Sequence, residues 1–314
     1  MRNTQLLRYT VPDGADGMRL SDFLRKTGMT AGFLRSVKFL DEGICMDGVR
    51  VHTDARVKTG SVITVKMPPE PETPVQAEPV PLTILYESDH AVVLDKPAGM
   101  LVHPSVAQAG GTLASGWRYL MEQRGTPAPF RPLTRIDKNT SGLVLCAKNR
   151  FAAPLLNRDL QKVYLAVAEG AVTPAEGLID APIALAENSK ISRCVAPEGK
   201  PSRTFYRVLD TAGGHTLLAV WPLTGRTHQI RVHFAHLGHP LAGDDMYGGG
   251  RGLIGRHALH AAALRLREPF AEEPVVLESP VPADLRALCG KCGLELEKWE
   301  SLPPKDGLFP VIEG

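Results

Sequence analysis

The chain has 314 residues, 43% of them hydrophobic and 22% charged, and 36 Lys and Arg against 34 Asp and Glu give a formal net charge of +2. This composition excludes an intrinsically disordered chain and allows a large domain plus a smaller one. The first ten residues hold no apolar run that would suit a signal peptide, and no segment approaches the roughly 20 apolar residues of a membrane span, so we expect a cytoplasmic protein without membrane association. The cysteines, at positions 45, 146, 194, 289 and 292, are odd in number and scattered. This pattern fits reduced thiols better than a disulfide framework.

Charge is segregated along the chain. Residues 1–67 carry 11 Lys or Arg against 7 Asp or Glu, whereas residues 70–90 carry five acids and no base, and acids dominate again beyond Glu268. Further basic stretches lie at residues 131–150, 190–207 and 226–267. Such a pattern predicts a polarised surface that suits a phosphate-backbone partner, although any single stretch also fits an ordinary solvated surface.

The N-terminal region predicts a small α+β unit. Apolar residues at helical spacing over 18–42 predict two short helices, with Gly28 as the break and Thr30 as the cap of the second. The Asp-Gly pair at 47–48, between two short apolar runs, predicts a tight hairpin, and a last strand is predicted over 61–67.

The clearest linker covers residues 68–81, because prolines recur there and we expect nothing apolar in it to be buried. After it, paired strands are predicted at 84–86 and 91–94, and an amphipathic helix over 112–124. The residues of this helix expected to face inward are Leu113, Trp117, Leu120 and Met121.

One acidic residue stands out in the middle of the chain. Asp137 lies between two bases and is followed by Asn-Thr-Ser-Gly and then by an apolar run. This order predicts a polar loop that delivers one carboxylate at the mouth of a buried strand. The simpler interpretation is a turn or capping aspartate, because these residue types are ordinary loop chemistry.

Further elements follow in order. A helix is predicted over 151–159, a strand over 162–168, and a hairpin from 205–209 and 216–221.

A last predicted helix follows Gly225. Its residues Ile230, Phe234 and Leu237 share an apolar face that is expected to pack inward, with the basic residues on the other side. Gly238 suits its C-terminal cap.

Four strings in this chain resemble the signatures of the RluA/RluD-type pseudouridine synthases. They are Asp95-Lys-Pro-Ala-Gly99, Arg135-Ile-Asp137-Lys-Asn-Thr140-Ser-Gly, Lys162-Val-Tyr164-Leu-Ala166 and Gly225-Arg-Thr-His-Gln-Ile-Arg231-Val-His233. The stretches at 241–248 and 257–262 continue the resemblance, which covers nearly the whole chain. Thr134 stands where the family usually has His, a departure that concerns subfamily and substrate more than chemistry. The resemblance implies an α+β fold with a mixed, mainly antiparallel sheet, and an isomerase that needs no external cofactor.

The resemblance also implies roles for individual residues. The family's catalytic aspartate falls on Asp137, and whether it attacks the sugar or stabilises it after detachment stays open. A desolvated carboxylate tends to bind a proton, so a guanidinium is needed beside it, and the family's arginine falls on Arg231. The family's active-site tyrosine falls on Tyr164, which could stack on the base and serve in proton transfer, whereas a lone strand tyrosine is usually a core residue. The expected substrate contacts are Lys96, Arg135, Thr140, Arg226 and His228.

The N-terminal unit resembles the S-four-like RNA-binding domain. We therefore assign residues 1–67 to that domain and, with the proline-rich stretch 68–81 as the linker, residues 82–314 to the catalytic domain. The cations expected to contact RNA are Arg25, Lys26, Arg35 and Lys38. The alternative is a small α+β appendage that only packs on the main domain.

Three alternatives to an RNA pseudouridine synthase are also compatible with parts of the sequence. A zinc site is disfavoured, because the chain has a single Cys-x-x-Cys pair at 289–292 and the histidines do not share one helical face, so we expect no metal. Those histidines are His228, His233, His236 and His239. A catalytically idle RNA-binding or ribosome-assembly protein would use the basic helices equally well. A hydrolase with Asp137 as base lacks a recognisable nucleophile or metal partner.

The sequence therefore predicts an RNA pseudouridine synthase that modifies specific uridines. We expect large-subunit ribosomal RNA as the substrate because of the N-terminal unit, with transfer RNA as the alternative, since a family does not fix its target. A monomer that works without a guide RNA is expected.

Overall fold

The structure is a computed structural model that describes residues 6–68, 74–126 and 128–302. The N-terminal elements are β1 (Leu6–Thr10), α1 (Leu20–Lys26), α2 (Ala31–Val37), β2 (Ile44–Met46), β3 (Val49–Arg50) and β4 (Val62–Lys66). The strands form one antiparallel sheet in the order β1-β4-β2-β3, and the two helices bury their apolar faces in a common core with it. Strand β1 was not predicted.

Local signals in this region act as expected. The Thr30 hydroxyl accepts the Phe33 N–H at 3.1 Å and so caps α2. Asp47 and Gly48, with φ of 52° and 82°, form the turn between β2 and β3, as a tight hairpin between twisted strands requires. The predicted helices and hairpin are confirmed.

The larger part of the chain contains twelve strands and five helices in the described ranges. The strands are β5 (Thr83–Glu87), β6 (Ala91–Lys96), β7 (Arg131–Pro132), β8 (Ser141–Ala147), β9 (Gln161–Glu169), β10 (Glu176–Asp180), β11 (Ile183–Leu185), β12 (Arg193–Val195), β13 (Arg203–Ala212), β14 (His215–Pro222), β15 (Leu259–Leu266) and β16 (Val275–Glu278). The helices are α3 (Leu113–Gln123), α4 (Ala152–Arg158), α5 (Gln229–His236), α6 (Ala283–Cys292) and α7 (Glu297–Glu300).

Ten of these strands form one large sheet, in the order β10-β13-β14-β9-β15-β8-β6-β5, with β16 beside β15 and β7 beside β8. All pairings are antiparallel except β15 with β8, which is parallel. Strands β11 and β12 form a separate hairpin. The predicted α+β fold with a mixed, mainly antiparallel sheet is confirmed.

The large sheet is buried on both faces. Side chains alternate along β9, so that Tyr164 and Ala166 pack with α3 and α5 on one face, while Val163 and Leu165 pack on the other, where α6 lies. Burying each large apolar side chain contributes about 1.5–3 kcal/mol, so the centre of the sheet is a main source of the stability of this domain. Tyr164 on β9 and Ile230 on α5 belong to this core.

Of the predicted linker, the structure describes residues 68 and 74–81, and residues 69–73 are outside the described ranges. Val75 is buried in the core with α3. The Glu78 carboxylate accepts the Gly111 N–H at 2.7 Å. The expectation that nothing apolar in this stretch is buried is therefore wrong for Val75. The domain boundary itself stays a prediction.

The N-terminal unit packs on the larger part through aromatic residues. The rings of Phe33 and Phe151 lie 5.7 Å apart, and Phe151 is buried in the N-terminal core. The ring of Phe270 stacks on Phe151 and meets the edge of Tyr9.

Helix α5 differs in one respect from its prediction. Ile230 and Phe234 are buried as expected, and Gly238 follows the helix end with φ of 82°. Leu237, however, is 40% exposed, because the helix ends at His236 and the apolar face does not continue. Arg231 is buried rather than placed on a solvated side.

No helix in the described ranges is long and apolar enough to cross a membrane.

Candidate active site

Three charged side chains meet where the loop before β8 approaches α5. The Arg231 Nη1 donates to Asp137 Oδ2 at 2.9 Å. The other side of the same guanidinium donates through Nε and Nη2 to the two carboxylate oxygens of Asp244, at 2.7 and 2.8 Å. The side chains of Arg231 and Asp244 are 6% and 1% exposed, whereas that of Asp137 is 24% exposed. Asp137 is thus the member of this cluster that solvent or a ligand can reach.

The two carboxylates keep Arg231 charged and fix its orientation. Burial alone lowers the pKa of Arg231, but hydrogen bonds and charge from Asp244, with a further contribution from Asp137, outweigh it and raise that pKa above its ordinary value. Arg231 therefore stays charged. Because Asp244 satisfies two donor positions in a bidentate pair, the guanidinium is fixed in direction and presents its remaining edge to Asp137.

The turn that carries Asp244 depends on a close backbone approach. Gly243 has φ of 78°, and a Cβ atom at this position would lie 2.1 Å from the Arg256 carbonyl oxygen. Only glycine fits such a turn without displacing the backbone. The Gly-Asp pair therefore sets Asp244 against Arg231.

Tyr164 lies on β9 in the face of the sheet that carries this cluster. Its neighbours across the ladders are Val220 and Ala261. Burial, with a smaller contribution from the charge of Asp137, raises the pKa of Tyr164. The side chain is consequently a protonated phenol at neutral pH.

His228 and Tyr247 also lie near Asp137 and Arg231. His228 Nδ1 lies 2.8 Å from the Tyr247 hydroxyl, and His228 Nε2 lies 3.8 Å from Asp137 Oδ2. The Tyr247 ring lies under the Arg231 guanidinium, with 4.9 Å from Cζ to the ring centroid. His228 has φ of 58°, a left-handed conformation that costs a non-glycine residue roughly 1–2 kcal/mol. Burial lowers the pKa of His228.

Two residues predicted to contact substrate are turned inward instead. Lys96 is buried, and its ammonium donates to the carbonyl oxygens of Pro97, Met100 and Lys138 at 2.8, 2.8 and 3.0 Å. Burial lowers the pKa of Lys96 to about 7. Because all three donors serve the two loops beside Asp137, the assignment of Lys96 as a substrate contact is corrected to a positioning role.

Thr140 is corrected for a similar reason. Its side chain is buried, and its hydroxyl is 2.8 Å from His257 Nε2. Burial lowers the pKa of His257 to about 4, so that ring is neutral. Thr140 therefore fastens the loop after Asp137 to the strand region behind it, and its hydroxyl is not directed at a substrate.

The other predicted contacts are exposed. Arg135 projects from the loop two residues before Asp137, and Arg226 precedes α5 with its Nε 3.2 Å from the Pro201 carbonyl oxygen. The cations on the N-terminal helices, Arg25, Lys26, Arg35 and Lys38, are all exposed. Lys38 lies over the ring of Phe39, which is 79% exposed. Their binding roles stay predictions.

Several residues of the site were not singled out from sequence. Asp244 and Tyr247 lie in the stretch 241–248, which continues the resemblance to the family but was not assigned a role in the site. Arg256 was missed as well: its guanidinium pairs with Asp284 at 2.7 Å and donates to the Asn139 carbonyl oxygen at 3.1 Å. It supports the loop after Asp137 from behind.

Thr134, the departure from the family pattern, has a structural role. Its side chain is buried, and its hydroxyl accepts the Leu145 N–H at 2.8 Å. It thus ties the loop before Asp137 to β8.

The histidines and cysteines weighed for zinc have other surroundings. His233 bonds to the Thr204 hydroxyl and the Ala181 carbonyl, and His239 to the Glu169 carbonyl. Cys289 and Cys292 are buried in the apolar core. Over residues 6–68, 74–126 and 128–302, no group of three or more His, Cys, Asp or Glu side chains could hold a metal ion.

Comparison with known proteins points to one family. The family model described as RNA pseudouridylate synthase matches residues 90–236. An uncharacterized RNA pseudouridine synthase of Bacillus subtilis, YjbO, is 37% identical over 278 residues, which cover 86% of this chain and 98% of that protein. The ribosomal large subunit pseudouridine synthase D of Xanthomonas campestris is 33% identical over 306 residues, 91% of this chain and 92% of its own. The solved structure of human RNA pseudouridylate synthase domain containing 1 is 30% identical, with a TM-score of 0.54 over 68% of this chain and 89% of that one.

Proposed function

This chain belongs to the RNA pseudouridine synthase family and is an RNA-modifying isomerase. From that premise we propose that it converts specific uridines of structured RNA into pseudouridine, with Asp137 as the essential residue. One observation carries the proposal: the Asp137 carboxylate is held at 2.9 Å by a buried guanidinium while its own side chain stays 24% exposed. It is the reachable acid of a preorganised cluster.

The reaction explains why such a carboxylate suits the site. The bond between N1 of the base and C1′ of the sugar breaks, and a bond from C1′ to C5 forms. A proton leaves C5 and a proton is gained at N1, so the atoms balance without a co-reactant. Whether Asp137 attacks C1′ or stabilises positive charge on the detached sugar, it acts as a carboxylate, and the hydrogen bond from Arg231 holds that carboxylate in place.

The neighbours of Asp137 serve the same chemistry. Arg231 cannot act as an acid because its pKa is raised, so it holds and orients Asp137. Tyr164 is a protonated phenol, which can stack on the uridine base and donate a hydrogen bond to it. The position and the protonation state of each side chain support these two roles.

The substrate nucleotide has to leave its stack to reach Asp137. Extrusion costs a few kcal/mol, which stacking and phosphate contacts recover. Arg135 and Arg226, both exposed, are the residues we assign to those contacts. The N-terminal cations on α1 and α2 are assigned to a more distant part of the same RNA, which is the role of an S-four-like domain.

Large-subunit ribosomal RNA is the substrate we favour. Support comes from the relatives named for the ribosomal large subunit at about one-third identity, and from the exposed basic face of the N-terminal unit. We propose that a monomer acts on it without a guide RNA, because the chain carries its own basic helices. Transfer RNA is the second candidate.

A site-resolved pseudouridine map tests the proposal. Ribosomal and transfer RNA would be compared between cells with and without the gene, complemented by wild type or by Asp137→Asn. We expect one or a few uridines of large-subunit ribosomal RNA to lose the modification and only wild type to restore it. A change confined to transfer RNA would overturn the substrate assignment, and no change in either RNA would favour an idle RNA-binding protein.

A further inference from the structure

The imidazole of His228 lies between the Tyr247 hydroxyl, which can donate and accept hydrogen bonds, and the Asp137 carboxylate, which can only accept them. Nδ1 lies 2.8 Å from the Tyr247 hydroxyl, and Nε2 lies 3.8 Å from Asp137 Oδ2. The ring reaches this place because His228 takes the left-handed conformation directly before α5, where its carbonyl accepts the Val232 N–H at 2.9 Å. Backbone strain of this kind, next to the Asp137 carboxylate, indicates that the orientation of the His228 ring is important for the function of the site.

The Tyr247 hydroxyl fixes what Nδ1 can do. Its oxygen already accepts the backbone N–H of Arg193 at 3.0 Å. Its own proton then needs an acceptor, and the neighbour in hydrogen-bonding position is His228 Nδ1. If Nδ1 carried a proton instead, two N–H groups would point at the hydroxyl oxygen and the hydroxyl proton would have no acceptor in the described surroundings. Burial raises the pKa of Tyr247, so the hydroxyl keeps that proton.

The surroundings of Nε2 favour the same tautomer, with the proton on Nε2 and none on Nδ1. Nε2 faces the Asp137 carboxylate, which only accepts hydrogen bonds, so a proton on Nε2 is favoured. Burial lowers the pKa of His228, although the charges that face the ring, Asp137 and Asp244 against Arg231 and Arg193, act in both directions. The ring is therefore neutral near pH 7 and above. At 3.8 Å the Nε2–H does not complete a hydrogen bond to Asp137 and is available to a ligand.

We propose that Tyr247 is a positioning residue that holds neutral His228 in the Nε2–H tautomer, so that this N–H donates a hydrogen bond to an oxygen of the nucleotide bound at Asp137. The acceptor is a ribose or carbonyl oxygen, which are the neutral acceptors that a uridine offers. This role for the pair rests on the proposed function, but the tautomer itself does not, since it is set by the protein alone.

Imidazole nitrogen resonances of the full chain test the tautomer directly. The protein is labelled with ¹⁵N in its histidine rings, and the His228 signals are identified by their absence in His228→Gln. At pH 8 without RNA, we expect His228 to show a protonated Nε2 and a bare Nδ1. In Tyr247→Phe, which keeps the ring under Arg231, these signals should move toward a mixture of tautomers. Tyr119→Phe, at an exposed tyrosine on α3, is the matched control and should leave them unchanged.

Turnover on a substrate RNA supplies the second readout. In Tyr247→Phe we expect kcat to fall about tenfold while KM changes less than about twofold, because a donor oriented in the site acts after RNA has bound. Tyr119→Phe should retain wild-type kcat.

Each contrary result has a separate meaning. A wild-type ring protonated on Nδ1, or on both nitrogens, overturns the proposal. A fall in kcat with unmoved ring signals also overturns it, and would assign Tyr247 to anchoring the Arg193 backbone. Moved signals with unchanged kcat overturn it too, since the N–H would not be used. Failure of wild type to form pseudouridine would instead refute the proposed function and leave the tautomer result standing.

Discussion

Cations serve opposite purposes at two places in this molecule. Arg231 is buried and bonded to two carboxylates, whereas Arg25, Lys26, Arg35 and Lys38 stand exposed on α1 and α2. A buried, paired guanidinium is fixed in direction and orients a neighbour. An exposed cation is screened by salt and attracts a polyanion over a distance of roughly 10 Å. Removing the first kind should therefore change chemistry and stability, and removing the second should change only affinity.

The largest effect in this comparison is expected for Arg231→Ala. Asp244 would be left buried without its partner, which costs about 3–5 kcal/mol of stability, and Asp137 would lose its orientation. We expect kcat to fall at least about 100-fold at a temperature where the variant is folded. Thermal unfolding and single-turnover kinetics measure the two effects.

Asp244→Asn separates the contribution of Arg231 to stability from its orientation of Asp137. Asparagine keeps the size of the side chain, but it removes a buried negative charge and can accept only one of the two hydrogen bonds from the guanidinium, so Arg231 stays beside Asp137 with weaker orientation. Activity between wild type and Arg231→Ala is expected. Wild-type kinetics in both variants would contradict the assigned cluster.

Lys96→Met should act on stability and kcat and spare RNA affinity. Three carbonyl oxygens lose their donor, and a buried acceptor left without a partner costs about 1–3 kcal/mol before the loops relax. We expect a fall in the free energy of unfolding of about 2–4 kcal/mol with an unchanged RNA Kd. A selective loss of RNA affinity in a fully stable variant would restore Lys96 as a substrate contact.

The exposed cations should show a smaller effect of a different kind. Arg35→Gln with Lys38→Gln should weaken RNA binding by roughly tenfold at physiological salt and reduce the slope of log K against log salt by about 1 for each phosphate that the protein no longer neutralises. Because these residues lie on or directly after α2, away from the Asp137 cluster, kcat at saturating RNA should stay unchanged. Lys291→Gln on α6 is the matched charge-removal control.

The last effect appears only when the pH is varied. Burial lowers the pKa of His257 to about 4, below its value near 6.5 in an unfolded chain. Between pH 6.5 and 4 the unfolded state binds the extra proton, so the stability that the neutral ring allows is lost as pH falls through this window. We expect a slope of up to about 1.4 kcal/mol per pH unit from this residue. In His257→Gln that part of the slope should vanish, and an unchanged slope would show that another group is responsible.

Much of the fold was accessible from sequence, because its signals are local. Thr30 as a cap, the Asp47-Gly48 turn and the apolar pattern of β9 each act within a few residues. The segment with β10, β11 and β12 was missed, since these strands are short and partly exposed and carry no strong alternation.

The site was predicted only as far as motif resemblance reaches. Asp137 and Arg231 meet as expected, although 94 positions separate them. Lys96 and Thr140 were misjudged because a motif indicates that a residue is near the site but not which way its side chain points. Asp244 and Tyr247 were missed because their roles exist only through contacts with Arg231 and His228 in the folded chain.

The most direct test of the central claim is single-turnover pseudouridine formation by wild type and Asp137→Asn on the RNA identified by the map. Asparagine keeps the size of the side chain, so binding and thermal stability serve as controls and should stay close to those of wild type. We predict that the variant binds the RNA and forms no measurable pseudouridine. Appreciable turnover by a folded Asp137→Asn protein would contradict the assignment of Asp137 as the essential residue.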